Sequence, residues 1–96
     1  MHVVIRNYYG KGVKKLFSLL ETHQAEVQAQ MRAIEGLVSY TLAINAGGGF
    51  SVTVCKTRRG INNSVKTARK FISKYAPEMS LAAMHVLEGT VITHIE

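Results

Sequence analysis

The sequence predicts an α+β fold, a ferredoxin-like βαββαβ two-layer sandwich with both helices on one side of a four-stranded antiparallel sheet. Three observations carry this expectation. Leu37 to Ile44 and Phe50 to Cys55 both alternate between larger apolar residues and small or polar ones, and a short glycine-rich segment joins them, the pattern of a β-hairpin. Two stretches outside the hairpin, around residues 13–34 and 62–75, repeat apolar residues at three- and four-residue steps, as helices with one buried stripe do. The order is strand, helix, hairpin, helix, strand.

The first strand is expected over His2 to Tyr8, where Val3, Val4 and Ile5 precede a polar close. Gly10-Lys11-Gly12 breaks it. One long helix follows from about Val13 to Ile34, with Val13, Leu16, Phe17, Leu20, Val27, Met31 and Ile34 in its stripe, and Gly36 ends it. In the hairpin, Val38, Tyr40, Leu42 and Ile44 share one face, and Phe50, Val52 and Val54 share one face of the next strand, with Asn45 to Gly49 as the turn. Asn62-Asn63-Ser64 reads as the N-cap of the second helix, which runs to about Tyr75 and stops before Pro77. Met79 to Met84 reads as a short apolar connector. Val86 to Ile95 reads as the last strand, with a bulge or bend at Gly89.

The 96 residues suit a single domain, 1–96, with one modest core. A hydrophobic fraction of 47% with 19% charged residues argues against disorder. Cys55 is the only cysteine, so no internal disulfide forms, and with neither a signal peptide nor an apolar run of membrane-spanning length the expected location is cytoplasmic. The net charge of +6 is local: Lys56, Arg58, Arg59, Lys66, Arg69, Lys70 and Lys74 lie in a stretch without an acid, while the rest of the chain holds five basic and six acidic residues, a balance of −1.

Placing Val3, Ile5, Tyr40, Leu42, Ile44, Phe50, Val52 and Val54 against the helices leaves Val4, Arg6, Ser39, Thr41, Ala43, Ser51, Thr53 and Cys55 on the other face, joined by Ile92 and His94. Small β-formers of this kind suit a sheet packed on another sheet, so a homodimer through the sheet face is expected. RNA-recognition domains of the same element order read bases with aromatic residues on this face. Ser51, Thr53 and Cys55 supply none, so nucleic acid is not the expected partner, nor is a membrane.

In this element order, the pattern resembles the dimeric α+β barrel superfamily and, within it, antibiotic-biosynthesis-monooxygenase-like domains. The long first helix, the Ile34-Glu35-Gly36-Leu37-Val38-Ser39-Tyr40 passage, the Phe50-Ser51-Val52-Thr53-Val54-Cys55 strand and the closing Val86-Leu87-Glu88-Gly89-Thr90-Val91 carry the resemblance, which covers nearly the whole chain in pattern and is nearest to small uncharacterised bacterial members. Cofactor-independent oxygenases of this superfamily often place an asparagine on the first strand. The resemblance therefore implies that Asn7 could hold a substrate oxygen. Haem-degrading relatives use a tryptophan and a histidine on the second helix. This chain has no tryptophan and no histidine there, so haem and other cofactors are not expected.

Read from the residues themselves, Asn7, Gln24 and Tyr40 converge between helix and sheet, with His23 at the edge of the helix stripe. Polar groups among apolar walls describe a small-molecule pocket, unless Phe17, Leu20 and Phe71 fill it. His2, His23, His85 and His94 lack metal-ligand spacing. Cys55, beside Lys56, Arg58 and Arg59, is a weak nucleophile candidate without a placed base. No complete catalytic signature is present, so whether the chain is an enzyme stays open at this level. Two functions are carried forward. One is a dimeric barrel binding a small apolar or aromatic molecule, with cofactor-independent monooxygenase-like chemistry. The other is a binding module using the basic second-helix face for a polyanion or protein partner.

Overall fold

The structure, a computed structural model, describes residues 1–75 and 83–96. β1 (His2–Tyr9) leads into α1 (Val13–Thr22) and α2 (Gln24–Arg32). β2 (Leu37–Asn45), β3 (Gly48–Cys55), α3 (Arg58–Tyr75) and β4 (Ala83–Thr90) follow. The strands form one antiparallel sheet in the order β2-β3-β1-β4, and the helices pack on one face of it. This is the ferredoxin-like α+β arrangement that the sequence predicts. Between the layers lies a core of Tyr8, Val13, Leu16, Phe17, Leu20, Val27, Met31, Ile34 and Phe71. Each large apolar side chain buried there contributes about 1.5–3 kcal/mol.

The first helix is not continuous. It breaks at His23, whose φ of −103° and ψ of 24° lie outside the helical range. Backbone bonds from His23 N–H to Leu19 O at 3.0 Å and from Val27 N–H to His23 O at 3.0 Å run through this joint. Thr22 donates its hydroxyl to Ser18 O at 2.9 Å, a back-bond of the kind that bends helices. A straight helix would seat Gln24 between Leu20 and Val27. The break turns it outward, and Gln24 is exposed.

The second helix starts at Arg58, four residues before the expected Asn62 cap. Thr57 Oγ1 accepts the Gly60 N–H at 3.2 Å and does the capping. Ser64 is instead buried inside the helix, donating to Ile61 O at 2.6 Å. The hairpin turn is also shorter than expected. Asn45 Oδ1 accepts the Gly47 N–H at 3.1 Å, and Gly48 and Gly49 already belong to β3. A side chain at Gly49 would come within 2.5 Å of Phe17, so this glycine lets α1 approach the sheet.

β4 begins at Ala83 and ends at Thr90, and Gly89 pairs with Val3 in unbroken register, without the expected bulge. Among the described residues the register shift lies on β2, between Leu37 and Ser39. Ile92 and His94 lie beyond the strand. Of the expected connector, Ala83 and Met84 belong to β4, and Met79 to Ala82 lie outside the described residues, as does Pro77.

The main correction concerns phase. β2 faces as expected, with Tyr40 and Leu42 packed on the core. β1 and β3 are reversed: Val4, Arg6 and Tyr8 are buried on the helix side, with Ser51, Thr53 and Cys55 beside them. Val3, Ile5, Phe50 and Val52 occupy the outer face. A one-residue change of phase moves every side chain of a strand to the other face, so the polar residues of the two central strands point inward. Ser51, Thr53 and Cys55 are therefore not the residues that a partner of the outer face would meet. The outward residues of β3 are Phe50, Val52 and Val54, of which Val54 is buried, so the open part of the strand offers one aromatic beside a valine.

Candidate functional site

Between the two layers, the core residues leave a small cavity of about 30 Å³, bounded by α1, α2, α3 and the inner face of β1, β2 and β3. Leu20, Val27, Met31, Leu42, Phe71 and Ile72 form its apolar wall. Arg6, Tyr8, Gln30, Tyr40, Ser51 and Thr67 supply the polar groups. It continues into an open groove of about 450 Å³, with Leu20, Val27, Tyr40 and Leu42 common to both and Phe17, Gln24 and Ile44 further out. Phe17, Leu20 and Phe71 are buried and narrow this space without filling it. On this measure a single water takes roughly 10–15 Å³, so the inner part has room for a small head group and the groove for a body.

Arg6 dominates the inner end. It is 3% exposed, its Nε has no hydrogen-bond partner, and no carboxylate among the described residues is ion-paired with it. Removing a guanidinium from water without a partner costs several kcal/mol. Ser51, its partner across the β1–β3 ladder, also has a buried hydroxyl without a hydrogen bond, as does Thr53. Tyr40 stands above them from β2. Burial pushes its phenol up to about 12, against the opposing charge of Arg6 and with a smaller upward contribution from Tyr8. Tyr40 is therefore a neutral donor through the ordinary pH range.

The residues predicted from sequence do not converge. Tyr40 lines the cavity, and Gln24 stands exposed on the rim of the groove. Asn7 is exposed on the outer face, in register with Phe50 and His85, because β1 has the opposite phase. Arg6 takes the inward position next to it. His23 sits at the helix break, stacked on Tyr75 at 4.1 Å between ring centres and edge-on to Phe71 at 6.3 Å. Beside it, Glu26 accepts hydrogen bonds from the Tyr75 hydroxyl and, at 3.1 Å, from Lys74. The Tyr75 bond, helped by Lys74, holds the Glu26 carboxyl below its ordinary value. Sequence reasoning missed Arg6 and Ser51. The available signal was an arginine within a valine- and isoleucine-rich strand, which becomes one of the two central strands of the sheet, with neighbours on both sides.

Cys55 is fully buried against Val4 and Ile61, and burial pushes its thiol up, the reverse of activation by Lys56, Arg58 and Arg59. Among the described residues no group of three histidine, cysteine or acidic side chains is placed to hold a metal. No described helix is long and apolar enough to cross a membrane. The basic stretch lies on and just before α3, and two of its members are engaged: Arg58 with Glu88 at 3.4 Å and Lys74 with Glu26 at 3.1 Å. Lys56, Arg59, Lys66, Arg69 and Lys70 are solvent-exposed.

No family model matches the sequence, and no curated protein matches it. Solved structures do. The chain is similar to a dimeric ferredoxin-like protein from an uncultured marine organism, with a TM-score of 0.65 and 14% identity over 99% of this chain and 95% of that one. The expected likeness holds at the level of fold. A monooxygenase from the gene ActVA-Orf6 of Streptomyces coelicolor, in complex with nanaomycin D, matches with a TM-score of 0.65 and 15% identity over 99% of this chain and 90% of that one. A MhuD variant with two manganese protoporphyrin IX molecules per active site matches with a TM-score of 0.69 and 15% identity over 100% and 99%. A porphyrin finds no histidine or cysteine as axial ligand here: the cavity measures about 30 Å³, and neither its lining nor that of the groove includes a histidine or a cysteine.

Proposed function

We propose that this protein works as a homodimer that binds a small, largely apolar or aromatic molecule in the cleft between its helices and sheet. The observation that carries this reading is the cavity itself, where apolar walls surround a few unpaired polar groups and open into a groove. The outer face supports the dimer. Val3, Ile5, Phe50 and Val52 lie together there, beside Leu87 at 55% exposure, a surface suited to a second sheet. The dimeric protein of like fold supports it as well.

The test is ligand binding with a blocked cleft as control. Naphthamide, a neutral aromatic probe, is expected to bind the wild-type protein by calorimetry. Ala68→Phe, which places a ring in the cavity lined by Ala68, is expected to weaken that binding by about tenfold or more. Equal binding to both proteins would remove the cleft as the site.

A cofactor-independent monooxygenase activity, with dioxygen as oxidant, is the second reading, and the likeness to a monooxygenase bound to nanaomycin D favours it. Asn7 faces away from the cleft, so Arg6 and Tyr40 are the groups that would meet a substrate. Oxygen uptake with a naphthohydroquinone, above the uncatalysed rate and lost in Ala68→Phe, is the expected result. Uptake that Ala68→Phe leaves unchanged would end this reading.

A further inference from the structure

Among the described residues, the cation at the inner end of the cleft has no counter-ion. Arg6 is 3% exposed with an unpartnered Nε, and none of the residues that line the cavity is acidic. We infer that this end of the cleft is a subsite for the carboxylate of a small monocarboxylic acid, held by Arg6 and Ser51, with the apolar body of the acid lying in the outer groove. The inference rests on the cleft being the binding site, as proposed above, and adds the charge and polarity of what enters it.

Four features point the same way. A guanidinium presents parallel donors that match the two oxygens of a carboxylate, and a bound carboxylate would supply the missing counter-charge. Ser51 is the register partner of Arg6, so both project from the sheet toward the same space, and its hydroxyl is also without a hydrogen bond. Tyr40 adds a phenol that stays protonated and can donate. The dimensions match as well, since about 30 Å³ takes a head group of two oxygens while the groove of about 450 Å³ takes an aryl or alkyl body along Phe17, Leu42 and Ile44. A single cation with two hydroxyls suits a monoanion better than a phosphate, whose higher charge calls for more than one basic group.

The test compares three probes of one shape on the full-length protein at neutral pH: naphthoate, its neutral analogue naphthamide, and naphthol. Naphthoate is expected to bind at least about tenfold more tightly than naphthamide, the range of a charge-assisted pair against a neutral one. Arg6→Met is expected to abolish that preference, so that the two affinities converge, and Arg6→Lys to restore only part of it. Without ligand, Arg6→Met is expected to melt at a higher temperature than the wild type, because it removes a buried unpaired charge; a merely structural arginine would give the opposite sign. Should Arg6→Met fail to fold, Ser51→Ala decides: it is expected to weaken naphthoate several-fold, and by more than it weakens naphthamide. Equal affinity of the wild type for naphthoate and naphthamide, a preference for naphthol, or a naphthoate preference untouched by these substitutions would overturn the carboxylate subsite and leave the cleft reading standing. Binding of none of the three would overturn both.

Discussion

The inner side of the two central strands carries Arg6, Ser51, Thr53 and Cys55, whereas the outer side of the same strands carries Val3, Ile5, Phe50 and Val52. In a free-standing sandwich the polar set would face water and the apolar set the helices. Here the helices already bring enough apolar surface, through Leu16, Phe17, Leu20, Val27, Met31 and Phe71, to cover an inner face that is partly polar. The proposed binding site rests on that polarity of the inner face, and the proposed dimer on the apolar outer face.

The largest expected effect comes from reversing the outer face. Val52→Asp sets a carboxylate at its centre. Sedimentation is expected to show the dimer dissociation constant raised by about 100-fold or more, roughly 3 kcal/mol, since an unpaired charge would be trapped between sheets. A wild-type chain that sediments as a monomer at every concentration would remove the outer face from the comparison.

Reversing the inner face is expected to do less and to have the opposite sign. Thr53 is fully buried with an unpartnered hydroxyl. Thr53→Val keeps the shape and removes the orphan, so urea unfolding is expected to show a gain of about 1 kcal/mol. The control on the outer face, Thr41→Val, is expected to stay within about 0.5 kcal/mol because Thr41 is exposed. A loss of stability in Thr53→Val would mean that its hydroxyl has a partner, such as a bound water, and would weaken the contrast.

The smallest effect belongs to neither face and sets the baseline. Glu26, on the helix surface, has its carboxyl held below the ordinary 4.5 by the Tyr75 hydroxyl and by Lys74. A lowered carboxyl contributes stability above 4.5 and loses it as the pH falls through the lowered value. Lys74 is raised by Glu26 and by Tyr75, so its share is present below 10.5 and fades as the pH rises through the raised value. Thermal melts of Glu26→Gln are expected to flatten the acid limb of the profile. An acid limb identical to wild type would show that the contact adds nothing in solution.

The element order, the hairpin and the inward phase of β2 were legible because each rests on a local pattern of apolar spacing and glycine. The end of α2 was read too late: it stops at Arg32 with Ala33 as its cap, and Gly36, at a positive φ of 83°, belongs to the turn before β2. The phase of β1 and β3 was not legible. Alternation says which residues share a face, but not which of two faces meets the helices, and β1 opens with three apolar residues in a row. Assigning the more apolar set to the helices put Asn7 inside and Arg6 outside, and the candidate site inherited that error. The break at His23 was hidden because neither proline nor glycine marks it, and it took Gln24 out of the predicted cluster. Tyr40 survived because β2 kept its phase.

The buried thiol offers the protein an internal clock. Cys55 is fully enclosed by Val4, Ile61 and the backbone at Gly60, where an added methyl would meet its Cβ at 2.9 Å. An alkylating reagent can reach it only when α3 lifts from the sheet. Being the only cysteine in the chain, it makes the rate of its modification a direct reading of how often the two layers part.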